Sequence, residues 1–444
     1  MRRAMTVLML AALVGGAYLM PPPDPEPTPL AGVVIDRPGL DSPPDASIWY
    51  CPWAQAGPDR DSTLAIASVN PAEAQFTFPV ALPGADVATA ELETLGPGAA
   101  LLALSDVTAG GESPAFIEFD GGPAGAAVAV AGTISAADAC VATGPDEWFF
   151  VGGSTRTGET LRLRLFNPFP ELAKVTISGF SEIGVEALGE LRSVSVNPRS
   201  WRDIDFEELL RQRESLAIMV RADDGLIIPA MSYGSGTDAA WWSGTGLSTE
   251  WEFPVVRQQG VEGAAIIVAN PGLAAVELTV DVYTRSGAQR SALSFTVPPE
   301  APLRIGFEDI PETVIGAKVT ATSPVAAAVV ATGESGTAVT AGSPAPARTW
   351  LLPGLGVAGT DEAFLWLLNS GDEAVTVTIG VLTGAATLNT KEVLEPGAIR
   401  RIDVTDVTAL GYIVFSADPF SAAWSVTGTT GTAFSAGVAV PEEE

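Results

Sequence analysis

The sequence predicts an all-β protein: four tandem immunoglobulin-like β-sandwich units following an N-terminal membrane helix. Three observations carry this. One set of landmarks recurs four times at nearly constant spacing. Short apolar or alternating runs bounded by Gly, Pro and Ser fill each repeat. Arg2-Arg3 precedes an uncharged apolar run, Ala4 to Met20. The alternative architecture is a closed, propeller-like ring of the same four units.

Each unit opens on a tryptophan: Trp49, Trp148, Trp251 and Trp350. An asparagine follows (Asn70, Asn167, Asn270, Asn369), succeeded by proline in three units and by Ser370 in the fourth. Turn prolines come next, at Pro97, Pro198, Pro299 and Pro396, and then the pairs Pro123/Gly132, Gly225/Gly234, Pro324/Gly333 and Pro419/Gly428. These landmarks divide the chain into repeats 46–143, 144–246, 247–345 and 346–440, each of about 100 residues.

The third repeat reads most clearly. Trp251–Val256 is a first strand and Ala264–Asn270 an apolar second strand stopped by Pro271-Gly272. Val276–Thr284 and Ala292–Val297 alternate apolar and polar residues; Leu303–Phe307, Ala317–Thr322 and Ala326–Thr332 follow. Seven short strands with regular turn signals suit a Greek-key sandwich able to close its own core, which favours a string of sandwiches over a ring. One helix is expected, Asp205–Glu214, because Asp205 and Glu208 form a capping-box pattern before Leu209-Leu210.

Positive charge before the apolar run keeps the N-terminus cytoplasmic and sends the remainder outward. Residues 1–20 read as an uncleaved signal anchor; cleavage after Ala17 would instead secrete the chain. Residues 21–45 are Pro-rich, and as polyproline II they would span up to roughly 80 Å. In an exported protein Cys51 and Cys140 read as one disulfide within the first repeat. The repeat register sets Cys51 against Phe150, Phe253 and Leu352, and Cys140 against Trp242, Ala341 and Ala436. A covalent bond would thus replace an apolar contact between first and last strands, contributing about 4–5 kcal/mol by loop closure.

Composition removes several chemistries. There is no histidine, which excludes Ser–His and Cys–His nucleophiles and zinc sites built from imidazole. The net charge of −30 repels nucleic acid and anionic headgroups, so neither is expected as a partner. Lys174, Lys318 and Lys391 lack a Ser-x-x-Lys context, and no Gly-rich phosphate loop opens a helix. Carboxylate pairs remain the one catalytic option: Asp59/Asp61, Asp203/Asp205 with Glu207/Glu208, and Asp223/Asp224. They read more simply as solvated loop acids, and no EF-hand loop is present. No cofactor or metal is expected.

The four opening tryptophans recur in register and read as core. Trp53, Trp201 and Trp241 have no counterparts in the other repeats. With Trp242 packed opposite Phe150, its neighbour Trp241 should face the other way. Trp241 and Trp53 are therefore the candidate ligand-binding residues, as exposed stacking anchors.

Trp148-Phe149-Phe150 with Gly153-Ser154-Thr155, then Phe166-Asn167-Pro168, then Pro198 with Arg202, resembles the repeats of exported bacterial surface proteins. With its Trp49-Tyr50-Cys51-Pro52 opening, the whole chain resembles an uncharacterised family of single-pass, exported envelope proteins of high-GC Gram-positive bacteria. The fourth repeat departs at Ser370, and the first lacks an arginine after Pro97. The resemblance implies location and class only. The expected function is a non-enzymatic envelope scaffold or recognition protein, anchored by residues 4–20, with residues 21–444 extracytoplasmic. Its partner would be an envelope protein or a cell-wall glycan; the alternative function is glycan binding or weak carboxylate-dependent glycan processing.

Overall fold

The computed structural model describes residues 46–440 except 57–60, 79–87, 95–97, 108–110, 121–122, 131–134, 143–146, 236–237, 259–260, 262, 334–335, 384–386, 406–408 and 430. The chain is all-β. Among the described residues no helix is long and apolar enough to cross a membrane. The expected anchor (1–20) and Pro-rich spacer (21–45) lie outside them.

Segment 46–143 forms two antiparallel sheets. The first runs Ala46–Cys51, Ala115–Asp120, Ala72–Phe78, Ala88–Thr94. The second runs Ala136–Ala139, Ala124–Val130, Thr63–Ser68, Gly98–Ala103. Corresponding strands pair in the same order in the other segments, where the opening tryptophan always faces an apolar residue: Trp49 Ile117, Trp148 Val220, Trp251 Val319 and Trp350 Val414. In segments 247–345 and 346–440 one long strand, Ile315–Gly333 or Gly411–Thr427, serves both sheets. The expected strands Ala317–Thr322 and Ala326–Thr332 are thus one strand. Pro324 sits at its exposed midpoint, where one stretch of pairing ends and the next begins.

The recurrent asparagine has a physical reason. Asn270 donates to the carbonyls of Ala274 (2.8 Å), Val297 (3.3 Å) and Pro298 (3.0 Å), and accepts from Gly272 N–H (2.9 Å). Asn369 repeats the pattern with Glu373, Leu394, Glu395 and Gly371, and Asn167 with Glu171, Val196 and Phe169. One buried amide satisfies the backbone of a turn that cannot pair with any strand. In segment 46–143 the Ser68 hydroxyl, bonded to the Asn70 carbonyl (2.6 Å), holds the turn.

The first-sheet strands alternate, as in Ala72–Phe78 and Val276–Thr284, where every second residue is buried and several between are exposed. The second-sheet strands do not. Thr63–Ser68 and Ala124–Val130 are buried at every position, and Gly263–Asn270 and Glu362–Leu368 at all but the first. Both faces of these sheets are covered, one by the segment's own core and the other by the preceding segment. Ala230 and Trp241 complete the core of 46–143; Ile267, Val330 and Val339 that of 144–246; Trp366 and Phe434 that of 247–345. Ala127, Ala129 and Ala137 complete the core of 346–440.

The contacts therefore run in a cycle, whereas a string would leave the first and fourth segments apart. The innermost strands Ala136–Ala139, Asp238–Ser243, Gly336–Ala341 and Thr432–Ala436 meet in that cyclic order. Gly336, at φ +105°, and Gly431 approach so closely that a Cβ on Gly336 would lie 3.1 Å from the Gly431 Cα. The innermost strand Gly336–Ala341 is not among those expected in its segment; with two expected strands merged into one, the described strands there number seven.

The expected helix Asp205–Glu214 is one turn, Phe206–Leu209, with no side-chain cap. Asp205 instead accepts from Arg162 Nε at 2.6 Å, and Phe206 is buried, so tertiary pairing overrides the local capping pattern.

Candidate functional site

Cys51 and Cys140 form a disulfide, with Cα atoms 4.8 Å apart and a sequence separation of 89. The pairing of first and last strands gives a register different from the expected one. Tyr50 faces Val141, Phe149 faces Thr245, Glu252 faces Ser343 and Leu351 faces Val438. Cys140 thus corresponds to Gly244, Gly342 and Gly437, not to Trp242, Ala341 and Ala436. Each of these glycines lies against a large side chain. A Cβ on Gly244 would come 2.7 Å from Phe150, one on Gly342 2.7 Å from Phe253, and one on Gly437 3.0 Å from Trp350. The aromatic-on-glycine contact of the other segments is a cystine in the first.

Trp53 and Trp241 are buried, with relative exposures of 5% and 4%, so neither is an exposed stacking anchor. Trp241 does face away from Trp242, but the face it occupies is covered by segment 46–143. Trp53 lies under the guanidinium of Arg164, its ring centroid 4.4 Å from Cζ, and Trp201 lies 5.6 Å away. Trp53, Trp201 and Trp241 thus all lie at one joint, between segments 46–143 and 144–246.

Arg164 is the centre of that joint. It is 1% exposed, an unusual place for a guanidinium unless its donors are used. Asp203 takes it bidentately, at 2.8 and 2.7 Å. Glu112 and the Pro52 carbonyl (3.3 Å), both from segment 46–143, take two more, so that four of its five N–H groups are bonded. At the same joint Asp138, on an innermost strand, accepts from the Ser243 hydroxyl at 2.6 Å. Burial pushes the Asp138 carboxyl up to about 7, against the opposing pull of the Ser243 hydroxyl and the backbone N–H groups of Ser243 and Ala139.

The joint between 247–345 and 346–440 carries a second buried charge. Glu252 is 1% exposed and accepts from the hydroxyls of Ser370 and Ser421, with Lys318 Nζ at 3.5 Å. Its position corresponds to Tyr50, Phe149 and Leu351. The departure from Asn-Pro at Ser370 is explained here: where the neighbouring segment presents a carboxylate instead of an apolar group, a hydroxyl stands where proline stood. Arg290 adds bonds to the Ser370 carbonyl (2.8 Å) and to Asp372 (3.2 Å). A small cavity beside Glu252, bordered by Phe253, Thr340 and Ser343, has room for no more than a water.

The acid pairs are engaged rather than poised. Asp203 binds Arg164, Asp205 binds Arg162, and Glu207 accepts from Leu161 N–H. Asp61 accepts from Ser105 N–H at 2.9 Å, while Asp59 lies outside the described residues. The Thr176 hydroxyl, with Arg221, holds the Asp223 carboxyl below the usual range. Among the described residues no three acidic or cysteine side chains converge as a metal would require. Sequence reasoning missed Arg164 and Glu252. The alternation Leu161-Arg162-Leu163-Arg164-Leu165 reads as one apolar and one polar face, and nothing in it separates the buried Arg164 from the half-buried Arg162.

No curated protein matches this chain. Among solved structures, a tetra-tandem repeat from the extending region of a large adhesion protein is 12% identical, covering 85% of this chain and 93% of its own, with a TM-score of 0.12. The Streptomyces avermitilis α-L-rhamnosidase complexed with L-rhamnose is 10% identical, covering 82% and 55%, with a TM-score of 0.12. Superposition this poor supports no inference about fold or activity. Residues 109–341, more than half of the chain, match the family of unknown function DUF5719, and the protein belongs to that family.

Proposed function

We propose that this protein is a non-enzymatic scaffold or recognition protein of the cell envelope. In this reading it is built of four immunoglobulin-like repeats joined in a ring, anchored by residues 4–20 and extracytoplasmic beyond them. The supporting observation is where its polar chemistry is spent. Arg164 and Glu252 are held by partners across joints between segments, and Asp203 and Asp205 pair with arginines of their own segment. Groups committed to joints make a rigid body and leave no general acid beside a general base in a cleft. The burial of Trp53 and Trp241 removes the side chains on which glycan binding rested.

The test is co-sedimentation of residues 46–444 with isolated cell walls at low and high salt, followed by affinity capture from envelope extracts. The scaffold reading expects no salt-resistant wall binding and a captured envelope protein. Wall binding that survives high salt would replace it with a glycan-binding function.

A further inference from the structure

The first segment differs from the others in two ways, and the two are adjacent. It alone has a cystine where Phe150/Gly244, Phe253/Gly342 and Leu352/Gly437 pack in the rest. Among the described residues it alone extends a separate two-stranded ribbon, Gln55–Ala56 paired with Gly111–Glu112, toward the next segment. The ribbon is short: beyond the pairing, Ser113 N–H donates to the Ala54 carbonyl (2.8 Å) and Ser62 N–H to the Gln55 carbonyl (2.8 Å). Two-stranded ribbons of this size do not hold their shape alone in water.

Two features hold it. At its root is Cys51, buried and bonded to Cys140. Next to the root are the Pro52 carbonyl and the Trp53 ring, and on the ribbon itself is Glu112; these three receive Arg164 of the following segment. On the other side of the bond, two residues before Cys140, Asp138 receives the Ser243 hydroxyl. Both cysteines therefore flank residues that cross the same joint.

We infer that the Cys51–Cys140 disulfide is a redox-sensitive strap within segment 46–143 that braces its joint with segment 144–246, rooting the ribbon that clasps Arg164. Cutting it releases the ribbon, removes Glu112, Pro52 and Trp53 from the guanidinium, and loosens the second segment's strands as well as the first's. The chemistry is thiol–disulfide exchange with an external dithiol. The Sγ–Sγ bond breaks, each sulfur gains one electron and one proton, and the dithiol closes to its own disulfide. Both sulfurs are buried, so exchange is limited by local opening and the strap holds under mild reduction.

Hydrogen exchange on the full chain tests this, comparing the oxidised protein, the protein reduced with dithiothreitol, and Cys51→Ala/Cys140→Ala. The same comparison is repeated on an Arg164→Met background. The expected result is exchange faster by about tenfold or more in residues 52–56 and 111–113 and, across the joint, in Glu159–Asn167 and Ser200–Asp205. Strands Glu362–Leu368 and Val375–Leu382 should stay unchanged. With Arg164 already replaced, breaking the disulfide should add less than half of its usual effect in the second segment. Acceleration confined to residues 46–143, or full additivity with Arg164→Met, would overturn the inference. If the alanine variant does not fold, the reduced native protein gives the same comparison.

Discussion

Replacing Asp138 by asparagine should stabilise the protein increasingly as pH rises above about 4, and most at neutral to alkaline pH. The Asp138 carboxyl titrates near 7 in the folded chain against an ordinary 3.8, because burial at the joint outweighs its bonds from Ser243 and Ala139. The folded state then binds a proton that the unfolded state has released, so stability from this group falls as pH rises from about 4 to about 7 and stays low above that. A shift of this size corresponds to at most about 4 kcal/mol, and less here because Asp138 keeps some solvent contact. Asparagine is nearly isosteric, still accepts from Ser243 and carries no charge. Thermal unfolding of both proteins at pH 4, 5, 6, 7, 8 and 9 isolates the effect, since all other titrating groups cancel in the difference. The two melting temperatures should lie closest at pH 4, begin to separate by pH 5 and differ by several degrees in favour of Asp138→Asn by pH 8. A constant difference across the range, or one that favours the native protein at high pH, would refute the account of Asp138.

Other substitutions test the joints and turns. Arg164→Met leaves the part-buried Asp203 without its bidentate partner and Glu112 with only the more distant Arg162, and should cost about 3–5 kcal/mol, read by urea unfolding. Ser370→Pro restores the Asn-Pro pattern of the other segments yet should destabilise by about 1–3 kcal/mol, because the buried Glu252 loses a donor; calorimetry on the full chain measures it. Asn270→Ala strands the carbonyls of Ala274, Val297 and Pro298 and should cost on the order of 3 kcal/mol, with the turn's amide exchange accelerated.

Much of the strand pattern was legible because period and punctuation are local properties. Val276–Thr284 alternates, ends at a turn and folds as read. What lay beyond reach was anything decided between segments. Trp241 was expected to face solvent because a strand's far face is usually wet; here it meets the first segment. The contrast between wholly apolar Ala264–Asn270 and alternating Val276–Thr284 held the clue, since a strand without a polar face needs cover on both sides. The counterparts of Cys140 were misplaced because residue type was matched, aromatic or small, whereas the pairing rule is a gap: glycine where Phe150, Phe253 or Trp350 intrudes. Arg164 and Glu252 carry no motif, and their meaning arises only from partners in another segment.

Closure between the first and last segments also decides how the molecule bears tension. Val440, bonded through its N–H to the Thr349 carbonyl, sits in the same apolar cluster against which Trp49 packs. A pull applied between the strand Ala46–Cys51 and residue 440 therefore loads the one joint where these ends meet, by shear, before it reaches any other segment. A linear array would pass the same pull through each segment in turn and lengthen stepwise. This chain should instead resist as a single spring up to the strength of that one joint, then open.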